Sequence, residues 1–218
     1  MKRRFERGLR TTLWLIAFAI AVVSSVASEP GLSGWETFRG DPALTGVAEG
    51  ALPDDLEALW VFDAGDAIES GAAIHDGTVY AGALNGFLYA LDLATGKEKW
   101  KFEAGAEIRS SPSHHDGLVY FGDGDGVFHA VDAKTGKQKW TFQTDAEIVS
   151  SANFAGDRVL FGSHDSFIYC LSAKTGELIW KVETENYVYG TPAITDGTVI
   201  SAGCDGYMRV VRDRKSVV

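Results

Sequence analysis

The chain has 218 residues, 45% of them apolar, with 25 glycines and a net charge of −10, a balance that suits one sizeable, turn-rich domain and not a disordered segment. Residues 1–27 hold Lys2, Arg3, Arg4, Arg7 and Arg10 against Glu6, a surplus of four positive charges, so the remainder stands at −14. So acidic a body is repelled by nucleic acid and by anionic membrane surfaces, which excludes both as partners.

Residues 1–27 have the three parts of an export signal. Met1 to Arg10 is basic, Leu13 to Val23 is an unbroken apolar run, and Ser25-Val26-Ala27 offers small residues where a signal peptidase reads. A membrane-spanning helix wants about 20 apolar residues, so the run reads as a cleaved signal peptide before a retained anchor. The expected location is the periplasm or the cell exterior. No cysteine stands near the cleavage point to carry a lipid. Residues 28–57 form a lead-in punctuated by Gly and Pro, with Trp35, Phe38 and Arg39-Gly40-Asp41-Pro42, and read as loop with an aromatic anchor.

Residues 58–212 are a repeat. Trp60, Trp100, Trp140 and Trp180 fall 40 residues apart with no insertion, a period that marks stacked supersecondary units. Each period divides into four β-rich runs, in the first unit Ser70–His75, Thr78–Gly82, Phe87–Asp92 and Glu98–Glu103. The turns between them are Asp76-Gly77, Asn85-Gly86 and Thr95-Gly96. Asx-Gly pairs supply the positive φ that tight hairpins need. One such antiparallel meander cannot bury both its faces, so the expected fold is all-β: a β-propeller of four-stranded blades. The tryptophan of each outer strand would fill the wedge between neighbouring sheets.

The stretch Ala90 to Trp100 returns as Ala130 to Trp140 and as Cys170 to Trp180. These repeats resemble those of the pyrroloquinoline-quinone-type (PQQ-type) β-propellers, whose blade motif runs Ala, Gly six residues on and Trp ten residues on. Ala90/Gly96/Trp100, Ala130/Gly136/Trp140 and Cys170/Gly176/Trp180 match it, the last with Cys for Ala. The resemblance implies that each tryptophan, Trp60 included, docks on the glycine peptide of an adjacent blade. It also implies rings of seven or eight blades, whereas this sequence covers about four. An open arc, the front half of a longer propeller, is therefore expected before a closed four-bladed ring. Asp213 to Val218 breaks the register and reads as a non-native tail.

Few residues suggest chemistry. Asp123-Gly-Asp125-Gly126 lacks the acidic residue that a helix-loop-helix calcium site needs at its twelfth position, where Lys134 stands. His114 and His115 are adjacent on a strand and point to opposite faces, so they cannot share a metal, and no metal site is expected. Ser110-Ser111 and Ser150-Ser151 lack a nucleophile elbow and read as small inner-strand residues. A Cys170–Cys204 disulfide is left open by the sequence. Quinoprotein dehydrogenases of the resembled family carry adjacent cysteines above the cofactor and a Glu/Asn/Asp calcium cluster. Nothing here matches, so no PQQ or other cofactor is expected. One register position, Glu69, Arg109, Val149 and Tyr189, changes in every blade. Positions free of structural constraint are where a binding face is written, so these are the expected rim contacts for a protein or small-molecule ligand. The resulting expectation is a non-catalytic, exported scaffold. The runner-up is the N-terminal part of a PQQ-dependent quinoprotein dehydrogenase, and sugar binding on rim aromatics comes third.

Overall fold

The computed structural model describes residues 34–48 and 54–212; the expected export signal and the 213–218 stretch read as a tail lie outside the described residues. Among the described residues, fifteen strands form four antiparallel sheets in chain order. The first holds β1 (Ala73–His75), β2 (Thr78–Gly82), β3 (Phe87–Asp92) and β4 (Glu98–Glu103). The second holds β5 (Ser113–His115), β6 (Leu118–Gly122), β7 (Val127–Asp132) and β8 (Gln138–Gln143). The third holds β9 (Asn153–Ala155), β10 (Arg158–Gly162), β11 (Phe167–Ser172) and β12 (Leu178–Glu183). The fourth holds β13 (Ala193–Thr195), β14 (Thr198–Ala202) and β15 (Met208–Arg212). Every sheet is a meander, each strand paired with its chain neighbour.

Burial follows position in the sheet. All five residues of β2 are buried, because a middle strand is covered on both faces and its apolar run is continuous, not alternating. The outer strands β4, β8 and β12 alternate between exposed and half-buried residues, with the tryptophan half-buried each time. The core lies between successive sheets, as where Phe128 of β7 stacks on Phe161 of β10 with centroids 3.9 Å apart. The array does not close. Leu88, Phe128 and Ile168 are fully buried, yet Met208 at the same register is 72% exposed. Val210 is 65% exposed where Ala90, Ala130 and Cys170 are fully buried.

Two expected elements differ. The inner strand is three residues long, not six, because the stretch ahead of it bonds sideways to the next blade. Gly71 N donates to Ser111 Oγ (2.9 Å), Ser111 N to Ser151 Oγ (3.0 Å) and Ser151 N to Thr191 Oγ1 (3.1 Å). The segment around Trp60 is not a strand, since the described residues offer it no ladder partner. The lead-in runs across all four inner strands. Trp35 O accepts from Ile74 N and Glu36 O from His114 N; Pro42 O accepts from Ile194 N and from Asn153 Nδ2.

Candidate functional site

The two ends of the strands form two rims. At one, the β3–β4 turn and its equivalents hold the blade joints. Trp60 Nε1 donates to Leu93 O (2.8 Å), Trp100 to Ala133 O (3.1 Å) and Trp140 to Ala173 O (3.0 Å). Gly96, Gly136 and Gly176 have positive φ, and a Cβ on them would lie 2.6, 2.7 and 2.5 Å from the rings of Trp60, Trp100 and Trp140. Only glycine leaves room for the indole. Ala90, Ala130 and Cys170 pair with Trp100, Trp140 and Trp180, and a bulge follows each of them. Tyr80 and Tyr120 hydroxyls donate to Ala133 O and Ala173 O, the carbonyls that Trp100 and Trp140 use. Sequence reading passed over these tyrosines, which Leu160 replaces one blade later. Trp180 lines a cavity of about 400 Å³ with Cys170, Leu160 and Ile194. Both cysteines are free thiols; Cys204 is exposed, and burial pushes the Cys170 thiol up to about 12.

The opposite rim carries the variable positions. The segments before the inner strands are bonded to the β2–β3 turn and its equivalents, through Leu84 N to Ala67 O, Gly124 N to Glu107 O, His164 N to Glu147 O and Cys204 N to Tyr187 O. Glu69 and Arg109 meet here. Arg109 Nε lies 3.4 Å from Glu69, and its Nη1 lies 2.9 Å from both Glu107 and Glu147. One guanidinium thus holds carboxylates from three successive blades. Glu147, then Glu107, raise the Arg109 pKa further, while the Glu107 carboxyl is lowered by its own backbone amide and by Arg109. Val149 sits half-buried in the same row. Tyr189 is 49% exposed, as is Tyr187; their ring centroids lie 4.2 and 5.1 Å from His164, whose Nδ1 is 3.5 Å from Glu147. Glu107, Glu147, His164 and Tyr187 were missed in the sequence. A signal did exist for three of them: positions 107, 147 and 187 share one register position of the repeat, two residues before the chosen ones.

Other polar groups are spent on structure. The Asp123 carboxylate accepts from the amides of Asp125 and Val127 and lies 2.7 Å from His129 Nε2, so its oxygens are committed within the turn. Ser110 and Ser150 Oγ accept from Gly122 and Gly162 amides. What remains on the rim is an acidic cluster of net negative charge beside aromatic faces. Such a surface suits recognition of cations and of planar or aliphatic groups.

A family model described as outer membrane protein assembly factor BamB matches residues 50–166 and 146–215. The chain belongs to this family of PQQ-type propeller repeats. The BamB-type repeat is therefore what builds each blade. Among solved structures, BamB from Moraxella catarrhalis is 24% identical with a TM-score of 0.64, covering 70% of this chain and 49% of that one. The computationally designed Ika4 protein is 22% identical with a TM-score of 0.66, covering 72% and 99%. Quinohemoprotein alcohol dehydrogenase from Comamonas testosteroni is 18% identical with a TM-score of 0.69, covering 78% and 35%. At these identities the likeness is one of fold. The chain spans about half the length of the BamB it matches. No curated protein sequence matches. No helix of the described residues is long and apolar enough to cross a membrane.

The rim does not fit PQQ, a tricarboxylate. Arg109 is already surrounded by three glutamates and Arg209 is paired with Asp205, so an anionic quinone meets carboxylates that repel it and cations already engaged.

Proposed function

We propose that the chain is a non-catalytic binding platform of the cell envelope, and that its acidic, tyrosine-lined rim docks a cationic segment of a partner protein. The observation that carries this reading is Arg109 clasped by Glu69, Glu107 and Glu147 beside the exposed Tyr187 and Tyr189. A clasp between three blades sets the carboxylates rigidly at little cost in ordering when a partner arrives. Exposed tyrosines give such a face contact area with few rotors to freeze. The other rim has its lysines, among them Lys97, Lys99, Lys137 and Lys139, interspersed with Asp92 and Asp132, so the two rims differ in charge. Export, taken from residues 1–27, places the platform outside the cytoplasm.

The test uses the full-length protein as bait in an envelope extract. The expected result is a partner that elutes as salt rises and that the Glu107→Gln/Glu147→Gln variant no longer retains. Capture of nothing above background, or capture indifferent to that variant, overturns the reading. Oxidation of alcohols or sugars with a dye acceptor after addition of PQQ and calcium would favour the dehydrogenase alternative.

A further inference from the structure

Three elements converge on one point at the inner strands. Glu36 comes from the lead-in, His75 from the end of β1 and His114 from the middle of β5. The carbonyls of Trp35 and Glu36 accept from Ile74 N (2.8 Å) and His114 N (2.6 Å), which seats the lead-in on both blades. His75 Nδ1 then lies 2.6 Å from Glu36 Oε1, and His114 Nδ1 lies 3.8 Å from Glu36 Oε2. One ligand atom from each residue falls within 4.8 Å of the other two.

Packing alone does not call for an imidazole at position 114. The rings of His75 and His114 stack with centroids 3.6 Å apart. One blade on, the equivalent pair is His115 on Phe154 at 4.3 Å, so a hydrocarbon ring fills that place. The imidazole adds two nitrogens, and one of them is unsatisfied. The His114 side chain is 5% exposed, and its Nδ1 is buried with no hydrogen-bond partner. Buried polar atoms without partners are rare and call for an explanation. His75 Nδ1 donates its proton to Glu36, so His114 Nδ1 is left facing a carboxylate oxygen across a gap.

We propose that Glu36, His75 and His114 form a binding site for a first-row divalent transition metal, zinc by the chemistry of the donors. Two imidazoles and one carboxylate are a common zinc set, with a water in the fourth position. Ligand bonds of about 2.0–2.2 Å place the three donor atoms roughly 3.3 Å apart in a tetrahedral site. The His75–Glu36 pair therefore opens and the stacked rings splay around the fixed His114. His75 and Glu36, with side chains 38% and 43% exposed, have the freedom to move. Access is open from two cavities that meet at His114, about 290 Å³ on the His75 side and about 320 Å³ on the Glu36 side. The bound ion ties the lead-in to the first two blades. The site is independent of the rim: it stands on the inner strands and the lead-in, not on the segments before those strands, and needs no partner.

The experiment is calorimetric titration of the metal-stripped full chain with Zn²⁺, paired with Co²⁺ absorption spectra. One ion per chain is expected, with the intense visible bands of tetrahedral cobalt and a higher thermal midpoint in zinc. His114→Phe, which copies Phe154, should remain folded by near-UV circular dichroism and lose binding. Glu36→Gln, at a half-exposed residue, should weaken binding by about tenfold or more, at least what loss of an outer-shell partner costs. His115→Asn should bind as the parent does. Absence of saturable binding overturns the proposal, as does binding that survives both His114→Phe and Glu36→Gln or that His115→Asn abolishes. Should His114→Phe fail to fold, Glu36→Gln alone decides.

Discussion

The two rims of the same blades obey different rules. At the joint rim the three turns are near copies, Asp92-Leu93-Ala94-Thr95-Gly96, Asp132-Ala133-Lys134-Thr135-Gly136 and Ser172-Ala173-Lys174-Thr175-Gly176, and each receives one indole. At the other rim Glu69, Arg109, Val149 and Tyr189 share a register position and nothing else. The difference teaches where side chains are dictated by geometry. An indole resting on a glycine peptide at positive φ admits one residue type at each place; a loop that only has to pass between strands admits many. The joint rim is therefore structure, and the variable rim is free to carry a binding face.

Substitutions break or sharpen that contrast. The largest effect is expected at the joint: Trp100→Ala removes a hydrogen bond and a half-buried wedge and should cost ~3 kcal/mol in chemical denaturation. Gly136→Ala comes next, at roughly 2 kcal/mol, since it forces an L side chain into the left-handed region against the Trp100 ring. Acid titration reads a smaller term. The Lys139 ammonium, then the Thr135 hydroxyl, hold the Asp132 carboxyl below the ordinary 3.8. A depressed folded value gives stability that is present above 3.8 and lost as pH falls through the folded value. Asp132→Asn should thus be less stable than the parent at neutral pH, and the two denaturation midpoints should converge in acid. The smallest change in stability belongs to the variable rim: Arg109→Ala should leave the thermal midpoint almost unmoved, because surface ion pairs contribute little. A large loss of stability on removing Arg109 would show that this rim, too, is a joint.

Much of this was legible in the residues. The second, third and fourth strands of the first blade run Thr78–Gly82, Phe87–Asp92 and Glu98–Glu103, the bounds that turn chemistry marks, because Asp-Gly, Asn-Gly and Thr-Gly pairs punctuate a chain locally. Asp76-Gly77, Asp116-Gly117 and Asp196-Gly197 do adopt positive φ. The inner strand was misjudged by three residues, since Ser110-Ser111 and their equivalents look like strand yet bond to the neighbouring blade. Of the ion-pair cluster, register picked out Glu69 and Arg109, but the Glu107 and Glu147 carboxylates that fix the guanidinium were not anticipated. His75 and His114 were each noticed and never joined, because the partner of a residue on one face of a blade lies 39 positions away on the facing side of the next.

By itself, then, the sequence determined the repeat and its turns, both properties of a local pattern copied at constant spacing, while the glycine–tryptophan joints followed only from the family resemblance. Only the tertiary structure decided which side chains from different blades share a point in space. The Arg109 clasp and the Glu36–His75–His114 cluster exist because stacking brings residues some 40 positions apart, and a lead-in segment, within hydrogen-bond reach. Contacts between repeats depend on how blades pack, and no periodicity within one blade encodes that.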